Sequence, residues 1–184
     1  PVVRRSSGGG AIVHHHEWTY CLVLPTQSQG RLRREPTLGY RWVHGAIVTA
    51  FAKLGVDVRA FRESSRVSNE SAEPFLCFRR RTDEDLILAG YKVVGSAQRR
   101  GRHAWMQHGS VLWTASPFAP ELPGVADLAS VRLGAADFCD AFRKSLGDAM
   151  SWSWQPGDLS PQESDLAERW TTRRYAAATW TTRR

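Results

Sequence analysis

The 184-residue chain has no apolar run approaching the roughly 18 to 20 residues that a membrane-spanning helix requires. Its start, Pro1-Val2-Val3-Arg4-Arg5, carries no apolar stretch that reads as a secretory leader. Cysteine is scarce: three residues, an odd number at no close spacing, argue against a disulfide framework and for a reducing compartment, the cytoplasm. No Gly-Lys-Ser/Thr follows the run Gly8-Gly9-Gly10, so there is no P-loop. No Cys or His pairs stand at metal-ligand spacing, and no metal site is expected. RNP-like and helix-turn-helix signatures are also missing, and the arginines are scattered in pairs instead of lining one helix.

What is present is an ordinary globular composition, 42% hydrophobic and 23% charged, with a formal net charge of +7. The length suits one domain with a continuous core. The basic balance favours acidic partners, and with no recognition signature the expectation is no nucleic acid and no membrane span.

Hydrophobic periodicity places a helix over 37–54, with Val43, Ile47, Ala50 and Leu54 at three- and four-residue spacing and Gly55 as its stop. Short strands are expected at 1–5, 11–13, 19–24 and 56–61, and polar loops at 25–36 and 64–73. From Leu86 the pattern is a meander: Leu86-Ile87-Leu88, a turn at Ala89-Gly90, a strand over 91–98, a turn near Gly101 and a strand over 103–113. Pro117, Pro120 and Pro123 interrupt regular structure. A second amphipathic helix is expected over 134–146, with Phe138, Cys139, Phe142 and Leu146 on one face. Trp170-Thr171-Thr172-Arg173-Arg174 recurs as Trp180-Thr181-Thr182-Arg183-Arg184, one duplication that is too short for a solenoid.

Three stretches could carry chemistry. Gly8-Gly9-Gly10 after Arg4-Arg5 would expose backbone N–H groups beside forked arginine donors, although many glycine runs are only turns. His14-His15-His16-Glu17, if extended, could aim only His14 and His16 to one side, and hydrogen bonding to a neighbouring loop is the plainer role. Cys77 precedes Arg79, Arg80 and Arg81. Nearby cations lower a thiol from its ordinary pKa of about 8.5 and raise its thiolate fraction. Lys92 would add to that effect if folding brought it close. Cys21 and Cys139 lie on apolar stretches and read as inert packed thiols.

These stretches resemble a known family. Arg4-Arg5-Ser6-Ser7-Gly8-Gly9-Gly10-Ala11-Ile12-Val13-His14 resembles the Arg-Arg-x-Ser/Thr-Gly-Gly-x-Ala-Val-x-His motif of the biotin/lipoate protein ligase family. Lys92-Val93-Val94-Gly95-Ser96-Ala97-Gln98 resembles that family's Lys-Ile/Val-x-Gly-Ser-Ala-Gln, and Gln107-His108-Gly109-Ser110 is similar to its Gln-His-Gly-Ser. Residues 14–20 are closer to the His-Asp-x-Glu-Leu-Thr-Tyr of the cysteine-dependent octanoyltransferases than to the His-Asp-x-Gly-Asn of the ATP-dependent ligases. Cys77-Phe78 matches the Cys-Phe those transferases carry before the lysine motif. His15 stands where aspartate is usual, and Gly10 where the transferases often have arginine.

The resemblance implies an α+β fold: a mixed, largely antiparallel central sheet flanked by helices, over residues 1–154, with a tail at 155–184 that matches no family motif. The chain is expected to be N-terminally incomplete, because the family's usual strand and helix before the Arg-Arg motif are missing. The implied reaction moves an octanoyl or lipoyl group from acyl carrier protein to a lysine of a lipoyl domain or the glycine-cleavage H protein, through a thioester on Cys77. Lys92 would support the thiolate and stabilise charge developing on the acyl carbonyl. The implied substrate-binding residues are Arg5, Ser7, Gly8, Gly9, Gly10, His14, Gly95, Ser96, Ala97, Gln98, His108 and Gly109. Thioester exchange is nearly isoenergetic, so no cofactor is expected. ATP and Mg enter only under an alternative, a lipoate-protein ligase in which Lys92 contacts an acyl-adenylate and Cys77 is incidental. A further alternative is a truncated, inactive relative that only binds carrier proteins.

Overall fold

Period-two alternation builds the first strand: β1 (Glu17–Pro25) packs Trp18, Tyr20 and Leu22 against the core and leaves Thr19, Cys21 and Val23 exposed. The computed structural model of the chain describes residues 2–25, 32, 35, 37–63 and 74–183. These fall into two compact units, Gly9–Ser153 and a smaller one made of Pro1–Gly8 with Trp154–Arg184.

In the larger unit, β1 is joined by β2 (Arg59–Ala60), β3 (Leu86–Leu88), β4 (Tyr91–Arg100) and β5 (Ala104–Leu112) in a five-stranded sheet of order β1-β5-β4-β3-β2. Every pairing between these strands is antiparallel. Among the described residues, the parallel component of the expected mixed sheet is one bridge, between Ala11 and Leu76. Ala89 and Gly90 both take positive φ, 48° and 84°, in the two-residue turn from β3 to β4. Turns of that hand match the twist of the strands they join.

Helix α1 (Leu38–Lys53) ends as expected, Gly55 adopting φ 77° and donating its N–H to Ala52 O at 3.1 Å. After a short α2 (Val125–Leu128), helix α3 (Ala135–Met150) packs on α1. Val43, Ile47, Ala50 and Phe51 of α1 and Phe138, Phe142 and Leu146 of α3 form one core with Val93, Val94 and Val111 of the sheet. The rings of Phe51 and Phe138 stack with centroids 4.4 Å apart, and Trp18 meets Phe138 and Phe142 edge-on at 5.1 and 5.4 Å.

Several expected elements are shorter or absent. Residues 2–5 are irregular, and 11–13 contribute only the Ala11 bridge. The strand expected over 56–61 shrinks to β2, because Phe61 opens a 3-10 turn (Phe61–Glu63) and gives its N–H to Asp85 O at 2.8 Å. Residues 14–16 are not extended, so strand alternation does not apply: the His15 and His16 rings stack at 3.7 Å, and their Nδ1 atoms bond Ser116 Oγ and Ala115 O at 3.1 and 3.2 Å. The loops expected at 25–36 and 64–73 lie outside the described residues, apart from Pro25, Leu32 and Glu35.

In the smaller unit, Ser160-Pro161-Gln162-Glu163 forms a capping box that starts α4 (Pro161–Trp170). Ser160 N donates to Glu163 Oε2 at 2.8 Å, and Glu163 N donates to Ser160 Oγ at 3.2 Å. A π turn (Thr171–Tyr175) and α5 (Ala178–Thr181) follow. The duplicated pentapeptide packs on itself, the Arg174 guanidinium of the first copy lying 3.7 Å from the Trp180 ring of the second. Trp180 Nε1 donates to Arg4 O at 2.7 Å, which ties residues 1–8 to this unit.

Phe138 is fully buried between Phe51 and Trp18. Phe138→Ala is expected to cost about 3–5 kcal/mol, read as a lowered urea midpoint with an unchanged slope. A loss under about 1 kcal/mol would show that α3 is not part of the cooperative core.

Candidate active site

The Cys77 turn is shaped by the glycine run. Phe75 and Leu76 run extended beside Ala11: Ala11 N donates to Phe75 O at 3.1 Å and Cys77 N donates to Ala11 O at 2.8 Å. This approach requires a residue without a side chain at position 10. A Cβ on Gly10 would lie 2.6 Å from Phe75 O and 3.2 Å from Cys77 N. Gly9 before it takes φ 105°, a region other residues rarely enter. Cys77–Arg79 then form one 3-10 turn, closed by Arg80 N donating to Cys77 O at 3.1 Å. Arg80 Nε donates back to Pro74 O at 2.6 Å.

Lys92 reaches the same turn from β4. Its side chain is buried, and its ammonium lies 2.8 Å from Asp85 Oδ2, 3.1 Å from Arg80 O and 3.2 Å from Cys77 O. The Phe78 ring lies 5.5 Å away. Asp85 is equally buried, and its Oδ2 also accepts the N–H of Thr82 at 2.7 Å. A Cβ on Gly95 would sit 2.7 Å from Lys92 Cε, so that motif glycine supplies room for the lysine stem. Sequence motifs single out Cys77, Lys92 and Gly95 but not Asp85. The one signal for it is an acid entering the apolar run Leu86-Ile87-Leu88.

The motif side chains of Ser96, Gln98 and Gln107 join a hydrogen-bond network between the sheet and α1. His44, buried on α1, meets Glu84 O through Nδ1 and Ser96 Oγ through Nε2, the latter at 2.6 Å. Ser96 Oγ lies 2.6 Å from Tyr20 OH, Gln107 Nε2 donates to Tyr20 OH at 2.9 Å, and Gln98 Nε2 donates to Gln107 Oε1 at 2.9 Å. Trp105 Nε1 closes the chain by donating to Gln98 Oε1 at 3.3 Å. Burial pushes the His44 imidazole below its ordinary pKa, so it is neutral. Since a carbonyl only accepts, Nδ1 carries the proton and Nε2 accepts from Ser96. Ser96 must then accept from Tyr20, whose own acidity is suppressed by burial. Every donor from Trp105 to His44 thus points the same way, towards Glu84 O. The Glu84 carboxylate is itself bridged by Arg41, at 2.9 Å, and Arg62.

Thus Ser96 and Gln98, expected on substrate, have their side chains engaged internally. Ala97 is buried in β4, and a Cβ on Gly109 would meet Ser96 Oγ at 2.4 Å and Gly95 O at 2.8 Å. His108 pairs in register with Cys21 and Ala97. His14 is exposed and its Nδ1 contacts Glu17 Oε1. Arg5, Ser7 and Gly8 belong to the smaller unit. Cys77 and Cys139 are half-buried, and Cys21 is exposed, because its strand position faces away from Tyr20. The expectation that Cys21 is a packed thiol is corrected accordingly. Beside the Cys77 turn, Ala11, Ile12, Leu76, Phe78, Leu112 and Leu122 line a narrow cleft of about 20 Å³. Among the described residues, no group of three or more His, Cys, Asp or Glu could hold a metal ion, and no helix is long and apolar enough to cross a membrane.

A glycine loop paired to a cysteine turn, with a lysine from a Gly-Ser-Ala-Gln strand beneath both, defines a recognisable class. Residues 1–121 match the lipoyl protein ligase A/B catalytic domain, and the chain belongs to that family. It is 28% identical over 205 residues to octanoyltransferase LipM of Kyrpidia tusciae and 24% identical over 208 residues to octanoyltransferase LipM of Bacillus subtilis. Each alignment spans 99% of this chain and 74% of the relative. Among solved structures, it superposes on the bipartite lipoate protein ligase of Thermoplasma acidophilum, described with its E2 lipoyl domain, with a TM-score of 0.73 over 98% of this chain and 69% of that one. Lipoate-protein ligase A bound with ATP gives 0.74 over 98% and 71%. Both are 18% identical to this chain and establish the shared fold.

The neutral His44 has a consequence for stability. Its folded pKa lies below the unfolded value of about 6.5, so below that pH the unfolded chain binds a proton that the folded chain does not. The contribution is fully present above pH ~6.5 and is lost as pH falls, by at most about 1.4 kcal/mol per pH unit. Urea midpoints between pH 7 and 5 should therefore fall more steeply for the wild type than for His44→Gln, which offers a donor and an acceptor but does not titrate. Parallel curves would rule out a neutral buried imidazole.

Proposed function

We propose that the chain transfers an octanoyl group from acyl carrier protein to a lysine of a lipoyl domain or H protein, through a thioester on Cys77. One observation carries this reading: motifs separated by up to about eighty residues meet at the Cys77 turn, with the glycine loop bonded to one side and Lys92 to the other. The LipM relatives, which are octanoyltransferases, support the octanoyl-transfer part of this reading.

The Cys77 thiolate adds to the carbonyl carbon of the carrier thioester. The carbon–sulfur bond to the carrier breaks, and the carrier thiolate leaves and takes up a proton. The neutral amine of the acceptor lysine then attacks the enzyme thioester. A carbon–nitrogen bond forms as the bond to Cys77 breaks, and the surplus proton of the amine goes to the departing sulfur. Thioester exchange is nearly balanced in energy and amide formation is downhill, so the sequence needs no ATP. The cleft beside the Cys77 turn is lined mainly by apolar side chains, which suits an acyl chain. The net charge of +7 suits acidic carrier and lipoyl domains, and the cytoplasm is where such carriers are met.

The test is intact-protein mass spectrometry after incubation with octanoyl-acyl carrier protein in the absence of ATP. An added octanoyl mass on Cys77, missing in Cys77→Ala, is the expected result. Product that appears only with free octanoate and ATP, and equally in Cys77→Ala, would replace this reading with a ligase. Carrier binding without adduct or product would leave a non-catalytic relative.

A further inference from the structure

Among the described residues of the larger unit, no large apolar side chain is more exposed than Phe75 and Phe118, each at 78%. Both adjoin the cleft beside the Cys77 turn. Phe75 precedes Leu76 and Phe118 precedes Ala119, and Leu76 and Ala119 line that cleft. We propose that these two rings, with the exposed Arg79 and Arg81, form the docking surface for the acidic acyl carrier protein that delivers the octanoyl thioester. This rests on the carrier being the acyl donor, and it names the surface that receives it.

Neither ring is exposed by fraying. The backbone around Phe75 is held twice: Phe75 O accepts from Ala11 N at 3.1 Å, and Pro74 O accepts from Arg80 Nε at 2.6 Å. Neighbours in an extended run point opposite ways, so with Leu76 in the cleft wall the Phe75 ring is turned out to solvent. Phe118 stands at the tip of the turn Ser116-Pro117-Phe118-Ala119, where proline presets φ at the first central position. Ala119 N donates to Ser116 O at 3.0 Å and Phe118 N to Ser116 Oγ at 3.1 Å. The Phe118 ring meets His15 edge-on at 5.6 Å. A single exposed apolar residue needs no explanation. Two rings fixed in this way at one cleft are a preorganised contact, with little left to order when a partner arrives.

Charge selects the partner. Arg79 and Arg81 follow Cys77 by two and four residues and are both exposed. The donor is an acidic protein whose thioester hangs on an arm joined through a phosphodiester, so carrier and arm both meet the arginines with opposite charge. The acceptor brings a lysine to the same place, which like charge opposes. Aromatic rings beside arginine are also the composition that protein interfaces concentrate at their centres.

Acylation of Cys77 is followed by intact-protein mass spectrometry with two donors: octanoyl-acyl carrier protein, and octanoyl-N-acetylcysteamine, a thioester with no protein attached. In Phe75→Ser/Phe118→Ser the second-order rate with the carrier should fall about 10-fold or more, while the rate with the small thioester stays within about twofold of wild type. An equal loss with both donors would put the rings in the chemistry, and an unchanged carrier rate would remove them from the encounter; either result overturns the proposal. So does a loss confined to transfer from the acyl-enzyme to a lipoyl domain, which would make the surface the acceptor's. Should the double variant fail to fold, Phe75→Ser and Phe118→Ser taken singly carry the same comparison.

Binding separates this inference from the thioester reading. The affinity of holo-acyl carrier protein is measured by fluorescence anisotropy for the wild type and the ring variants. It should weaken in the variants by about the same factor as the rate, and in the wild type as salt screens the exposed arginines. If the wild type forms no octanoyl adduct, the thioester reading fails, yet weaker carrier binding by the variants still upholds the surface. Equal affinities, salt-insensitive binding, or no carrier binding by the wild type would end it.

Discussion

A single buried ammonium organises the larger unit's candidate site. Taking a charge out of water is costly, and the cost is recovered only when a counter-charge and hydrogen-bond acceptors surround it. Lys92 meets that requirement with one carboxylate and two main-chain carbonyls. The acceptors come from residues 77, 80 and 85, so the condition for burying the charge is also the condition for folding that segment one way. The glycines serve the same end: Gly95 makes room for the lysine stem, and Gly10 lets the Ala11 backbone reach Cys77. A site assembled on this principle is rigid because each partner is needed to satisfy another.

A second polar system lies beside it. The chain from Trp105 through Gln98, Gln107, Tyr20 and Ser96 to His44 spans β1, β4, β5 and α1, and each donor atom in it has an acceptor. Fully satisfied networks of this kind specify register, because a slip of one residue would leave several buried groups unpaired. The two systems meet at consecutive residues, Glu84 accepting from His44 and Asp85 holding Lys92. The Gly-Ser-Ala-Gln and Gln-His-Gly-Ser stretches therefore supply interior scaffolding in addition to marking the site.

Much of this was legible beforehand. Helix periodicity located α1 and α3, the Ala89-Gly90 turn located the β3–β4 hairpin, and motif order brought Cys77 and Lys92 into one neighbourhood. Other features were hidden for physical reasons. His44 sits within an apolar helix face and looks like any core-facing residue until its partners from β4 and the Glu84 carbonyl are known. Asp85 is one of three consecutive acids, and nothing in the order Asp83-Glu84-Asp85 tells which one turns inward. The 3-10 turn that cut β2 short depends on a hydrogen bond to Asp85, more than twenty residues away.

Local order thus determined what is decided by neighbours in the chain: where helices and hairpins form, which strand face is apolar, and which family motifs are present. Only the tertiary structure decided where each polar atom finds its partner, because those partners are distant in sequence and the cost of burying a charge is settled by the whole enclosure. That is why the motifs named Lys92, while its three acceptors emerged only in three dimensions.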